Sequence, residues 1–508
     1  MNRDSLSILA AISAVFLCAV GAYADVKLPA IISNHMVLQA DHTVPIWGWA
    51  EPGEEVTVSI AGQTLTAKAD NDGRWSVKLA KLPAAAEPQT LTVKGKNTLT
   101  VEDVLVGEVW LASGQSNMAF TVSSALNAPQ EEAAANFPQI RMFTVGGNSQ
   151  RAPQVDCKGE WKICTPETVP RFSAVAYFFG RELHQKLGTP VGIIHSSVGG
   201  TDIAAWTSEE AQVKVPELKA YLDTWLADDA AFDPVAAKAK AAEEQAAYKL
   251  ALEKSKAEGS KAPAKPRLIR KPGSDPNCPA NLYNGMIAPL IPFAIRGVIW
   301  YQGEHNAASE ELAKRYGVQL PLLVKDWRTR WEEVLPFAWV QLPNFEVNGD
   351  GRPLVREAML QTLKVPGTGL VVTIDIGEAK NNHPKNKQEV GRRLSLWALG
   401  TVYGQKVPAT SGPLPGNYHV HGGEVTLEFT HTDGGLAAHD GDLRGFTVAG
   451  ADKQWCKANA RIEGGKVVVS SPDVKEPTAV RYSWAGNPDG NLFNGAGLPA
   501  SPFRTDQQ

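Results

Sequence analysis

Residues 107–118 read Gly-Glu-Val-Trp-Leu-Ala-Ser-Gly-Gln-Ser-Asn-Met. Together with Val104-Leu-Val106, the segment Val109-Trp-Leu-Ala112 forms an almost continuous apolar run. Such a run is the pattern of a strand buried on both faces of a parallel sheet. The small polar turn Ser113-Gly-Gln-Ser-Asn117 ends it and places Ser116 where the next element begins. Similar runs recur downstream as Val191-Gly-Ile-Ile194, Val298-Ile-Trp-Tyr301, Phe337-Ala-Trp-Val-Gln341 and Leu370-Val-Val-Thr-Ile374. Helical spacing over 172–187, 308–331 and 387–399 alternates with them. The alternation predicts an α/β core, a parallel sheet with helices on both faces.

The flanks read differently. From Asp25 to Val104, Val56-Thr-Val-Ser-Ile60, Trp75-Ser-Val-Lys-Leu79 and Thr90-Leu-Thr-Val93 alternate at period two, with turns at Glu51-Pro-Gly53 and Asn71-Asp-Gly73 between them. That spacing predicts a small β-sandwich. Period two returns after Tyr403, in Gly423-Glu-Val-Thr-Leu-Glu-Phe429 and Lys466-Val-Val-Val-Ser470. Residues 216–272 interrupt the core with an Ala-, Lys- and Glu-rich stretch of high helix propensity. The expected organisation is a signal peptide (1–24), an N-terminal β-sandwich (25–104), an α/β domain (105–400, helical insertion about 216–272) and a C-terminal β-rich region (401–508).

The 508 residues are 43% hydrophobic and 20% charged, with a net charge of −4. This is the mix of a soluble globular protein, without the basic stripe of a nucleic-acid binder. Arg3, an apolar run from Leu6 to Val20 and Ala22-Tyr23-Ala24 form a secretory signal. The run is shorter than the roughly 20 residues of a membrane span. The expected destination is the periplasm or the extracellular space. Export leaves Cys157, Cys164, Cys278 and Cys456, an even count that permits disulfides, with Cys157 and Cys164 close enough to pair across a turn.

Ligands of open α/β sheets bind at the carboxyl ends of the strands, and four such ends are unusual here. Ser116 sits on a glycine-containing turn that lets a nucleophile project while its own N–H faces the reacting carbonyl. Gly199-Gly200, after the strand at 191–194, lets backbone N–H groups approach a ligand. Trp300-Tyr-Gln-Gly-Glu-His-Asn306 offers the amides of Gln302 and Asn306 as oxyanion donors and Glu304 as an acceptor. In Asn381-Asn-His-Pro384 the proline holds His383 extended at the sheet edge.

In order and spacing these motifs resemble the sialate O-acetylesterase-like carbohydrate esterases, a branch of the SGNH hydrolases. The resemblance rests on Ala112-Ser-Gly-Gln-Ser-Asn-Met118, Gly199-Gly-Thr-Asp-Ile-Ala-Ala-Trp206, Tyr283-Asn-Gly-Met-Ile-Ala-Pro-Leu290, Trp300-Tyr-Gln-Gly-Glu304, His383-Pro-Lys-Asn-Lys387 and Leu498-Pro-Ala-Ser-Pro-Phe-Arg504. It implies a three-layer, flavodoxin-like sheet core and a sugar O-acetylesterase that needs neither metal nor organic cofactor. Ser116 is then the nucleophile and His383 the base. The oxyanion donors are the N–H of Ser116, one of Gly199 or Gly200, and Gln302; Gln115, Asn117, Glu304 and Asn306 support the site or bind substrate. The family's aspartate two or three residues before the histidine is absent, since Lys380 and Asn381 stand there. Asn381 holding the ring through its amide oxygen, Glu378 or Asp375 swinging in, or a dyad without an acid are the alternatives. The expected partner is an acetylated carbohydrate: sialic acid first, xylan or xyloglucan second. A glycan-binding protein without catalysis, built on Trp47, Trp49, Trp75 and Trp484, is the reading from another class. Arg171 and Arg356 are candidates for a sialate carboxylate, or structural ion-pair partners.

Overall fold

A computed structural model describes residues 25–147, 149–266 and 269–506. The expected signal peptide lies outside the described residues. The protein is a mixed α/β structure built on one large sheet. Seven strands form its main path, in the order Thr368–Val371, Phe337–Val340, Gly297–Tyr301, Thr98–Gly114, Val191–Ser197, Phe137–Thr144, Trp161–Cys164. Every neighbouring pair is parallel except the last, where Trp161–Cys164 returns antiparallel along the edge. The apolar runs divide by parity between two cores. Trp110, Ile193, Ile299 and Ala338 point to one side, where helices Ala174–Leu187 and Lys387–Trp397 pack. Val109, Ile194, Val298 and Trp300 point to the other, against helices Glu310–Trp331 and Gly351–Thr362.

The helices end where their caps predict. Ser173 accepts from the Ala176 N–H at the start of Ala174–Leu187, and Gly188 closes it in the left-handed region. One feature departs from the expected punctuation. Thr98–Gly114 is a single 17-residue strand that pairs with Ala85–Lys94 at its start and with the parallel sheet at its end. Gly107 lies inside it because a Cβ there would meet the Pro190 carbonyl oxygen at 2.0 Å. Position 104 is therefore inside a strand.

Before it, Glu55–Ile60 pairs with Gln63–Lys68 and Ala85–Lys94, and Val44–Trp49 pairs with Arg74–Leu79 in a two-stranded ribbon. After Tyr403, two four-stranded antiparallel sheets share a third core around Val425, Phe446, Val467 and Tyr482. The stretch 216–272 contains helices Pro216–Ala230 and Pro234–Glu258, the second almost wholly solvated. Among the described residues no helix is long and apolar enough to cross a membrane. Cys157, Cys164, Cys278 and Cys456 are free thiols, so the pairing that the spacing of Cys157 and Cys164 permits is not made. Cys164 is buried at the end of its edge strand, and burial pushes its thiol up to about 12. Trp75 is buried and Trp47 packs its edge on Phe293, so these aromatics serve the packing of the ribbon.

Candidate active site

Three parallel strands stop at one level. Gly114 pairs with Ser197 on one side and with Tyr301 on the other. The chain then turns sharply. Gly114 has φ +139°, and a Cβ there would sit 2.1 Å from the Tyr301 carbonyl oxygen. Only glycine allows the strand ends to come this close. The Gln115 N–H donates to Tyr301 O at 2.9 Å, and a short helix begins at Ser116. Ser116 is half-buried, at the carboxyl end of the central strand. His383, from the loop before helix Lys387–Trp397, places Nε2 2.8 Å from Ser116 Oγ. Phe120 stacks along the imidazole, with ring centroids 6.5 Å apart at 19°.

Gly199 adjoins Ser116: a Cβ on it would lie 3.3 Å from Ser116 Cβ and 4.0 Å from Ser116 N. Gly200 takes the left-handed turn at φ +72° and faces open space. Both are exposed, and neither Ser116 N nor Gly199 N donates to a protein group among the described residues. The first N–H of a helix has no intrahelical acceptor. Two backbone donors at and next to the serine turn therefore carry no protein acceptor among the described residues.

The side-chain amides do not join them. Gln302 is buried, and its Nε2 donates to Thr201 O at 2.8 Å, Asn306 Oδ1 at 2.8 Å and Gln115 Oε1 at 3.3 Å. Asn306 Nδ2 donates to Asp202 Oδ1 at 2.9 Å. Gln302 is the amide expected at the oxyanion, with Asn306 in support. Instead they brace the Gly199–Thr201 turn from beneath, because the Thr201 carbonyl reaches Gln302 first. Asp202 extends the chain outward, accepting from the Tyr221 hydroxyl at 3.0 Å and so tying in helix Pro216–Ala230.

Asn381 departs from expectation in the same way. Its Oδ1 accepts from the backbone N–H of His383 at 3.0 Å, not from the ring. Its Nδ2 donates to His383 O and to Glu378 Oε2, each at 2.9 Å. These bonds, and the Lys385 N–H, hold the Glu378 carboxyl below its ordinary value. Asp375 is engaged by Arg393 at 2.6 and 2.7 Å. Among the described residues no side chain bonds His383 Nδ1. Ser116 and His383 are in hydrogen-bond contact, and Asn381 anchors the backbone of the histidine.

Asn117 joins the serine turn to the histidine loop. Its Nδ2 donates to Asn382 O at 3.0 Å and to Glu304 Oε1, while its Oδ1 accepts from Lys387 Nζ. Arg352 reaches the same loop at Asn382 Oδ1. Sequence reasoning gave no role to Lys387, Phe120 or Arg352. Arg356 is fully buried and gives four of its N–H groups to the carbonyls of Leu342, Pro343, Ala485 and Gly486, so it is a structural staple out of reach of a substrate carboxylate.

Residues 106–248 and 275–398 match the family described as carbohydrate esterase, sialic acid-specific acetylesterase. The chain belongs to this family. Membership makes it a carboxylic ester hydrolase of the class that acts on carbohydrate O-acetyl groups. The chain is 28% identical to rat sialate O-acetylesterase, with 95% of each chain covered. It is 28% identical to the human enzyme of the same name, over 94% of this chain and 92% of that one. A carbohydrate acetylesterase from Xanthomonas citri superposes with a TM-score of 0.81 at 37% identity, covering 95% of this chain and all of that one.

Proposed function

We propose that this family member is an exported sialate O-acetylesterase that works by Ser-His acyl transfer. The observation that carries the mechanism is His383 Nε2 at 2.8 Å from Ser116 Oγ, beside two unengaged backbone donors. His383 takes the Ser116 proton as Oγ attacks the acetyl carbonyl. The N–H groups of Ser116 and Gly199 meet the oxyanion, each good donor being worth about 3–4 kcal/mol. The C–O bond to the sugar breaks, and the alkoxide leaves with the proton held by His383. Water, deprotonated by His383, then attacks the acetyl-enzyme and releases acetate. Gln115, Gln302, Asn306 and Asn381 hold the turns. Asn117 adjoins the serine and donates to Glu304 Oε1, while Glu304 Oε2 is buried without a partner among the described residues.

The two core clusters on either side of a parallel sheet support an SGNH-type, three-layer arrangement for 105–400. The antiparallel flanks support β-sandwich-like regions at 25–104 and 401–508. The N-terminal signal pattern supports export.

The test is acetate release from O-acetylated sialic acid and from acetylated xylan or xyloglucan, with wild type, Ser116→Ala and His383→Ala. Sialate is the expected better ester, and both variants are expected to abolish release. A preference for the plant polysaccharides reassigns the substrate. Release that survives Ser116→Ala refutes the mechanism, and no release from any acetylated sugar by folded wild type favours glycan binding.

A further inference from the structure

Lys387 is a buried cation near the serine turn that acyl transfer does not use. It is 0% exposed, and no carboxylate pairs with it directly among the described residues. It also opens helix Lys387–Trp397, where the macrodipole disfavours a cation. An ammonium withdrawn from water needs compensation. Here it comes from one acceptor, Asn117 Oδ1, and from two aromatic faces, Phe120 at 4.9 Å and Tyr301 at 5.2 Å. Each of the three belongs to the catalytic end of the sheet. Asn117 pins Asn382, the residue before His383. Phe120 stacks on the His383 ring. Tyr301 closes the strand whose carbonyl fixes Gln115.

We propose that Lys387 is a positioning residue for His383, its ammonium holding Asn117 and Phe120, and through them the imidazole, where other Ser-His sites use a carboxylate. The inference rests on the Ser116–His383 reading above. It explains how a ring with no partner on Nδ1 keeps its place. One contact fixes the loop's backbone and another fixes the plane beside the ring, and both end on the same nitrogen.

The charge of Lys387 is conditional. Burial pushes its ammonium down to about 7, against the pull of Glu304 and Glu378. Those carboxylates face it from the loop after Gly297–Tyr301 and from the loop before His383. His383 itself lies across the Phe120 ring, and Arg352 acts on Glu304 from helix Gly351–Thr362. Because the folded value lies below the ordinary 10.5, the charge and its contacts are present at acid pH and lost as pH rises through about 7. A neutral amine keeps only the weaker hydrogen bond and none of the cation–π attraction.

The experiment is the pH profile of kcat and KM for wild type, Lys387→Met and Lys387→Arg, with Ser116→Ala as comparator and circular dichroism to establish folding. Wild-type kcat is expected to fall on the alkaline side with an apparent value near 7. Lys387→Met is expected to lose about 10²-fold in kcat, the effect of misplacing a reacting group by about 1 Å, with little change in KM. Lys387→Arg, charged throughout, is expected to retain more activity than Lys387→Met and to lose the alkaline fall. If Lys387→Met does not fold, wild type and Lys387→Arg carry the test. Wild-type kcat in Lys387→Met, or one pH profile shared by wild type and Lys387→Arg, overturns the proposal. Acetate release surviving in Ser116→Ala overturns the Ser-His reading instead.

Discussion

Replacing Asn381 by aspartate puts an acid near the place where the resemblance to the SGNH hydrolases implies one. Analogy alone expects a faster enzyme, whereas the hydrogen bonds predict a slower one. Asn381 Nδ2 donates to His383 O and to Glu378 Oε2, each at 2.9 Å. Aspartate loses both donors, at about 1 kcal/mol apiece. It also sets a second carboxylate against Glu378; about 4 Å apart in water-like surroundings, two such charges repel by about 1 kcal/mol. The loop loses about 3 kcal/mol in total. If all of it falls on the competent arrangement, kcat drops by up to about 10²-fold. The deficit depends on pH. In wild type the Asn381 bond helps hold the Glu378 carboxyl down, so that contribution is present above the unfolded value and is lost as pH falls through the depressed one. In Asn381→Asp a shared proton restores a donor at acid pH, so the deficit narrows toward the carboxylate range and is widest at neutral pH and above. Steady-state kcat on an acetylated sugar and on a chromogenic acetate ester, measured across pH, reads both effects. A variant as fast as wild type at neutral pH, or faster, would refute the backbone-anchor account and return the acid to the imidazole.

Other substitutions probe the frame around the serine. Gly114→Ala is expected to destabilise by more than about 2 kcal/mol in urea unfolding, because its Cβ meets the Tyr301 carbonyl at 2.1 Å with φ at +139°. Gln302→Glu replaces a buried donor with an acceptor facing Thr201 O, Asn306 Oδ1 and Gln115 Oε1. Its thermal stability is expected to fall below wild type as pH rises above about 4.3, where an ordinary glutamate ionises, and to recover on acidification as the protonated carboxyl donates again. Tyr221→Phe removes one of the donors to Asp202 and is expected to lower stability by about 1 kcal/mol while leaving turnover of a small ester near wild type.

What could be read from the sequence was whatever repeats at the period of an element or is fixed by a local turn. The apolar runs at 191–194 and 298–301 and residues 337–340 fall in the strands they foretold, and Gly188 caps the helix that ends at Leu187. Phe137–Thr144 escaped because Pro138 and Arg141 break its apolar pattern; Arg141 is buried there with Asp103, on the strand Thr98–Gly114, at 2.7 Å and the carbonyls of His35 and Pro138 as further acceptors. Ser116 and His383, singled out by their turns, lie 2.8 Å apart in the fold. The direction of an amide could not be read in that way, since it is set by groups far away in sequence. Thr201 O lies 101 residues from Gln302, and Asn117 lies 270 residues from the lysine it receives. Lys387 did leave a mark in the sequence, as a cation at the first position of a helix, where acids are favoured. A residue placed against local preference is held by something non-local. Here that is the shared level of Gly114, Ser197 and Tyr301, which brings the serine turn, the glycine pair and the aromatic wall of the lysine to one end of the sheet. The register of three parallel strands therefore sets the geometry of the site, and the loops supply the chemistry at its edge.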